Sequence, residues 1–347
     1  MTNNQGQLTK QRDAMQVLVT GATGAVGPRV VESLLAAGHR VRVLVRQPVA
    51  PGLWPATVEQ RVGDITDVAA LCRAMEDCAG VIHMAALLHI NMPSAALARD
   101  YAAINVAGTV NVLQAAVAQG VQRVVFFSSI SVFGRACTGW LTEAATPLPD
   151  TPYGTTKLAA EAHVLAARRS TGEALGVVLR PAAVYGTRVK GNYQRLLYAL
   201  ARGRFLPIGK GTNRRTLVYD RDLAVAALLA LQHPAAAGQI YHVTDGTVHT
   251  LQAIMAAICG ALGRRPPCAY VPIAPVRGAM ALLEDGCALV GRNAPLGRAT
   301  LDKYLAEITV DGSRMQQELG FVPRYTLAAG WAELIQELGM AEQGWRT

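Results

Sequence analysis

The sequence has no CxxC pair, no apolar run of the ~18 residues that a membrane-spanning helix requires, and no low-complexity tract or internal repeat. Its six cysteines (Cys72, Cys78, Cys137, Cys259, Cys268, Cys287) are scattered, which suits small buried thiols in a reducing compartment better than a disulfide framework. The opening stretch, residues 1–14, is polar and lacks the apolar segment of a secretory signal or an anchor. It is expected to be a disordered tail, and the cytoplasm is the expected location. HExxH, GxSxG and Walker patterns are missing, and the seven histidines are dispersed, so no metal site is expected. The GKGT at 209–212 lacks the preceding glycine of a Walker loop. At 51% hydrophobic and 16% charged, the 347 residues suffice for one large domain and a smaller one.

What charge there is lies unevenly. Of a net +9, most is concentrated from Arg188 to Arg215, which holds eight basic residues and no acidic one. Such a field gathers an anionic partner, either a phosphate-bearing small molecule or a nucleic acid, and a solvated basic face is the plainer alternative.

From Gln16 to Arg180, short β-branched runs (16–20, 40–45, 58–64, 80–85, 123–129, 176–181) alternate with helical stretches such as 28–38 and 101–119. That alternation predicts an α/β fold with a Rossmann-like, doubly wound parallel sheet. Beyond Arg180, Pro/Gly-rich joints separate helical pieces, which predicts a smaller C-terminal α/β substrate domain. The run QIYHVTD (239–245) is positioned to return to the main sheet. The division expected is therefore 15–185 with about 216–248 for the dinucleotide part, and 186–215 with 249–340 for the substrate part.

Directly after the first strand comes Gly21-Ala22-Thr23-Gly24-Ala25-Val26-Gly27, with Pro28 opening a helix. Glycines at 21, 24 and 27 allow a tight turn, close approach to a pyrophosphate and close helix packing, and the helix start offers free N–H groups. At the end of the second strand, where an acid would hold a ribose hydroxyl, stands Arg46. An arginine there favours a 2′-phosphate and hence NADP(H) over NAD(H), although it can also stack on adenine or point into solvent. Asp64 and Ile65, ending the third strand, can hold an adenine edge.

Tyr153 and Lys157 stand at i and i+4, on one helix face. The ammonium is expected to lower the phenol's pKa, so that Tyr153 serves as acid or base near neutrality. Ser129 ends a strand at the carboxyl edge, where open sheets bind ligands, and can donate to the substrate oxygen whose proton Tyr153 handles. Ser131 stands beside it. His83, at another strand end, reads as a packing residue.

These residues resemble the extended short-chain dehydrogenase/reductase family in its epimerase/dehydratase branch, along nearly the whole chain. TGATGAVG is similar to the family's glycine loop, HMAA (83–86) to its fourth-strand signature, NVAGT (105–109) to its helix motif, and SSISVFG with YGTTK to its active site. LRPAAVYG (179–186), NRRTLVYDRDLA (213–224) and IYHVTDG (240–246) fit the same branch. The resemblance implies a nicotinamide-dependent enzyme with Ser129, Tyr153 and Lys157 as catalytic residues. Lys157 would also bond the nicotinamide ribose, and Ala85, Ala86, Asn105 and Pro181 would line the cofactor. Asn192 and Arg215 would meet substrate phosphates, with Leu206 beside a nucleobase. A UDP-hexose 4-epimerase or 4-keto reductase is the leading expectation, with a UDP-sugar as the small-molecule substrate and neither nucleic acid nor membrane as a partner. An NADP(H)-dependent hydroxysteroid or ketone reductase is the alternative, and a non-catalytic NADP-sensing or RNA-binding scaffold a third.

Two departures narrow this. Ile130 and Ser131 occupy the places where 4,6-dehydratases carry Asp-Glu, which disfavours dehydration, and 291–311 contains no Arg-x-Gly-Asp element for a second phosphate. Alanine-rich stripes within 99–119 and 153–170 resemble the surfaces through which the family forms homodimers.

Overall fold

The computed structural model describes residues 14–88, 95–135, 137, 139–289 and 297–340. The expected tail therefore lies outside the described residues except for Ala14. In chain order the first half runs β1 (Gln16–Thr20), α1 (Gly27–Ala36), β2 (Arg40–Val45), β3 (Glu59–Val62), α2 (Val68–Met75), β4 (Gly80–His83), α3 (Ala95–Tyr101), α4 (Gly108–Ala118), β5 (Arg123–Phe127), β6 (Trp140–Leu141) and α5 (Pro152–Ala166). It continues with β7 (Gly176–Pro181), β8 (Ala183–Tyr185), α6 (Asn192–Ala201), β9 (Arg214–Tyr219), α7 (Asp220–Gln232), β10 (Ile240–Val243), β11 (Val248–Thr250) and α8 (Leu251–Ala261). The chain closes with α9 (Ile273–Leu289), α10 (Arg298–Leu305), β12 (Thr309–Val310), α11 (Ser313–Leu319) and α12 (Leu327–Glu337).

Seven strands form a parallel sheet in the order β10-β7-β5-β4-β1-β2-β3. β1 lies between β2 and β4, so the chain reverses its direction of travel across the sheet beside the end of β1, where such sheets open a ligand crevice. The strands read as continuous apolar runs because helices cover both faces. On one face α1 and α7 pack Val30, Leu34, Leu223 and Ala227 against Val19, Val43 and Val125. On the other, α2, α4 and α5 bring Leu71, Val112, Ala160 and Val164 onto Leu18, Val81 and Val124. A separate core joins Tyr185, Leu197, Leu217, Ile254, Trp331 and Ile335 from β8, α6, β9, α8 and α12.

Some boundaries differ from expectation. β3 spans four residues rather than seven, because it is an edge strand paired only with β2 and its outer residues Gln60, Arg61 and Val62 gain nothing from burial. The helix expected over 101–119 is interrupted by π-helical turns at Ala102–Ala107. One stretch, Leu97–Ala118, is by length and composition apolar enough to cross a membrane. Its residues Val112, Leu113, Ala115 and Ala116 are buried in the sheet-facing core instead.

Candidate active site

The glycine loop follows β1 and is shaped by its neighbours. Gly21 takes φ +74°, and a Cβ there would stand 2.6 Å from the backbone nitrogen of Ala85, so the end of β4 closes on the loop only because position 21 has no side chain. Gly24 N–H donates to the Gly21 carbonyl at 2.9 Å, turning the chain into α1. Val26 caps α1 with no side-chain hydrogen bond, Pro28 fills its first turn, and that turn carries no acid. Thr23 and Gly24 are exposed. Free N–H groups, a positive helix end and an open face fit a diphosphate. A further cation arrives from far along the chain, since Arg188, itself exposed, donates Nη2 to the Thr23 carbonyl at 3.3 Å. Sequence reading placed Arg188 in the basic stretch but did not assign it to this loop, because the contact joins residues 165 apart.

Around this loop the other expected cofactor residues are spread along the sheet's carboxyl edge. Arg46 is exposed immediately after β2. Asp64 is half-buried, with Oδ1 accepting from the Thr66 amide (2.9 Å) and hydroxyl (2.8 Å), while Ile65 is buried. Ala85 and Ala86 are half-buried after β4, and Pro181 ends β7. Asn105 sits in the π-helical turns, fully enclosed. Its Oδ1 accepts from Leu87 N–H at 2.7 Å, while its Nδ2 donates to the Leu87 carbonyl at 3.1 Å and to Thr156 Oγ1 at 3.2 Å. Its carboxamide therefore clamps the 85–88 loop to α5. His83 bonds Thr20 Oγ1 at 2.7 Å and Thr109 Oγ1 at 3.0 Å, and burial pushes it down to about 3, so it is a neutral packing residue.

Ser129 lies two residues past β5 and caps the 3-10 turn Ile130–Val132. Its Oγ accepts from Ser131 N–H at 3.1 Å and donates to Ser131 Oγ at 3.0 Å. Thr151 caps α5 by accepting from Gly154 N–H. A Cβ on Gly154 would stand 2.4 Å from the Ser131 carbonyl oxygen, so glycine at this position lets α5 lean on the serine turn. That approach brings Tyr153 within a hydrogen bond of Ser129. Lys157, one turn later, is buried, with Nζ donating to the Phe127 carbonyl at 2.6 Å and lying over the Phe126 ring.

The electrostatics depart from expectation. Burial raises the Tyr153 phenol to about 12, with Tyr101 adding to the rise and the Ser129 hydrogen bond opposing it. Burial also lowers the Lys157 ammonium to about 7, against a smaller upward pull from Glu161. The expected depression of the phenol is thus absent. Nζ stands 6.0 Å from the phenol ring centre and is engaged by the Phe127 carbonyl, so desolvation outweighs charge attraction.

Two residues that sequence reading missed support this triad. Glu161 continues the Tyr153–Lys157 line by another turn and forms a buried bidentate pair with Arg180 of β7, Nη2–Oε2 at 2.6 Å and Nε–Oε1 at 2.9 Å. Ser128 also donates to Glu161. This fixes α5 to β7 and to the segment carrying Ser129. An arginine inside an otherwise apolar strand was the available signal.

The expected substrate residues lie outside the seven-stranded sheet. Asn192 opens α6 and is exposed, and Leu206 is 54% exposed in the loop after α6. Arg215 is half-buried on β9, in the small sheet β11-β9-β8, and donates Nη2 to the Tyr304 carbonyl at 2.8 Å. A cleft beside Asn192 is lined by Thr187, Lys190, Tyr193 and Trp331. Among the described residues no group of three or more His, Cys, Asp or Glu could hold a metal ion.

A glycine loop at the reversal point of a parallel sheet, with a tyrosine and a lysine one helical turn apart beside it, defines the class of dinucleotide-dependent α/β enzymes. Comparison with known proteins gives the family, since residues 17–244 match the NAD dependent epimerase/dehydratase family, and the chain belongs to it. It is an enzyme of the extended short-chain dehydrogenase/reductase type. It is 30% identical over 333 residues to a UDP-glucose 4-epimerase of Vibrio cholerae, covering 92% of this chain and 94% of that one. It is 29% identical over 357 residues to a 3 beta-hydroxysteroid dehydrogenase/Delta 5→4-isomerase of Mycobacterium tuberculosis, covering 96% and 93%. Among solved structures, MoeE5 in complex with UDP-glucose and NAD is 28% identical with a TM-score of 0.72, covering 93% and 98%.

Proposed function

We propose that this protein interconverts the hydroxyl and keto forms at C4 of a nucleotide-linked hexose, as a UDP-hexose 4-epimerase or a closely related 4-keto reductase. The observation that carries this reading is the hydrogen-bonded Ser129–Tyr153 pair, backed by Lys157, at the sheet edge beside an open phosphate loop. The likeness to the Vibrio cholerae epimerase and to MoeE5 supports the sugar nucleotide.

In this reading the backbone of Thr23, Gly24, Ala25 and Val26, with Gly21 and Gly27, would hold the dinucleotide's diphosphate, and Arg188 would add a cation. Asp64 and Ile65 would meet the adenine, with Arg46 stacked on it. Ala85, Ala86 and Pro181 would line the remainder, and Asn105 would act through the loop that it clamps. The bound nicotinamide supplies the hydride acceptor and donor. Tyr153 moves the proton of the C4 oxygen, and Ser129, positioned by Ser131, hydrogen-bonds that oxygen and holds it against the phenol. With its phenol near 12, Tyr153 carries its proton at neutral pH and is poised to give it to a keto oxygen. Lys157 would hold the nicotinamide ribose. Asn192 and Arg215 would take the substrate phosphates and Leu206 the nucleobase, within a substrate part formed by 186–215 and 249–340. Pairing of α4 and α5 with a second copy would give a homodimer.

Incubating the purified protein with UDP-glucose, UDP-galactose or UDP-N-acetylglucosamine without added cofactor, and following the sugars by NMR, tests this reading. Appearance of the 4-epimer supports it. A second reading, an NADP(H)-dependent reductase of an uncharged ketone or steroid, is favoured by Arg46 at the end of β2 and by the likeness to the steroid dehydrogenase. Turnover seen only with NADPH and a ketone would select it.

A further inference from the structure

Among the described residues, helix α9 is packed unlike any other long helix. Between Ile273 and Ala288 it has no buried residue, although Ile273, Val276, Met280, Leu282 and Leu283 are among its side chains. Leu282 is 75% exposed and Leu283 43%, and Ile273 and Tyr270 lead into the same surface at 38% and 45%. A helix of this composition in water has an unmet apolar face.

The loop after α6 extends that face. Ile208 bridges to Val271, and Val271 exchanges backbone hydrogen bonds with Pro207 and Gly209 at 2.8 Å each. A Cβ on Gly209 would lie 3.0 Å from Ile273, and one on Gly203 3.5 Å from Arg264 Nη1. The loop therefore lies beside the start of α9. Around it stand Arg202, Arg204, Lys210, Arg264 and Arg265, all exposed, and none forms an ion pair with a carboxylate among the described residues. The charges on α9 itself are already matched, Arg277 by Asp302 at 2.7 Å, and Glu284 and Asp285 by Arg298 at 2.5 and 3.7 Å. What remains is apolar side chains bordered by cations that have no carboxylate partner among the described residues.

We propose that the face formed by α9 and the loop after α6 rests on a lipid bilayer, with Leu282, Leu283 and Ile273 entering the boundary of the acyl chains and the arginine rim meeting anionic phospholipid headgroups. Charge complementarity selects this partner. A docked protein would have to supply carboxylates to five separate cations, whereas an anionic leaflet presents them over its whole area. The helix lies on the surface and does not span it. This differs from the expectation that no membrane is involved, which followed from the lack of a spanning run and leaves surface binding open.

The test is flotation of the full-length protein with vesicles of phosphatidylcholine alone or phosphatidylcholine mixed with phosphatidylglycerol, at low and high salt. The protein is expected to float with the anionic vesicles at low salt and to be released by salt. Leu282→Glu/Leu283→Glu and Arg264→Ser/Arg265→Ser are each expected to lower partitioning about tenfold or more, with turnover of the soluble enzyme unchanged. Circular dichroism of both variants checks that they fold. Protein that stays in solution with both vesicle types overturns the proposal. So does protection of α9 from hydrogen exchange that rises with protein concentration in the absence of lipid, which would assign the face to a second copy of the chain.

Discussion

The loop around Gly21 and the surface around α9 lie at opposite ends of packing and charge. At the first, strand end, glycine loop and helix start approach so closely that a single Cβ would stand 2.6 Å from a backbone nitrogen, and the free groups are backbone N–H donors. At the second, sixteen consecutive helical residues, 273–288, leave no side chain buried, and the neighbouring arginines and Lys210 have no carboxylate partner among the described residues. The contrast separates two kinds of specificity. Binding by backbone needs a shape that only certain residues permit, and it is written locally in TGATGAVG. The proposed binding by side chains over an open face is assembled from segments more than 50 residues apart, such as 202–210 and 264–283.

The contrast can be broken in several places. The largest effect is expected at the rigid end, where Tyr153→Phe should lower kcat about 10³-fold without altering the melting temperature by more than a degree or two, as followed by turnover assay and calorimetry. Gly154→Ala comes next. Its Cβ would meet the Ser131 carbonyl at 2.4 Å, so α5 must shift away from Ser129. A loss of about 2 kcal/mol in urea unfolding is expected, with kcat reduced about tenfold or more.

At one buried carboxylate the sign reverses. Asp220, at the start of α7, is buried, and neither its 3.7 Å approach to Arg29 Nε nor a hydrogen bond from the Arg221 backbone offsets that burial, which raises it to about 6. A folded pKa above the unfolded one means that this residue's stabilising protonation is full below pH 3.8 and is lost as pH rises through 6. Asp220→Asn should therefore stabilise the protein by on the order of 2–3 kcal/mol at pH 8, and the gain should vanish below about pH 4. Denaturant melts at the two pH values measure it. The smallest effect belongs to Arg46→Asp. Exposed just after β2, Arg46 meets a 2′-phosphate in the reductase reading, and there the substitution should shift the kcat/KM ratio from NADP(H) toward NAD(H) by about tenfold, with stability unchanged.

Legibility in the sequence followed the same divide. The glycine loop, Tyr153 with Lys157, Ser129, and the return of β10 to the main sheet were readable because spacing along the chain fixes them. The titration of Tyr153 was not. It depends on burial and on the Phe127 carbonyl that engages Lys157, neither of which the YGTTK spacing reveals. Nor was the role of Arg188, whose partner is Thr23, or the clamp made by Asn105, which depends on π-helical turns within an otherwise regular apolar pattern. The exposure of the apolar side chains of α9 is visible only in the fold, where none of residues 273–288 is buried. Glu161 and Arg180 were visible as residue types, but their pairing needed the register of α5 on β7.

The proposed hydride transfer at C4 of a sugar nucleotide is tested most directly with UDP-glucose deuterated at C4. Turnover slowed by a primary isotope effect, with the deuterium found at C4 of the product by NMR, is the predicted result. Exchange of that deuterium into solvent, or turnover insensitive to it, would contradict the account.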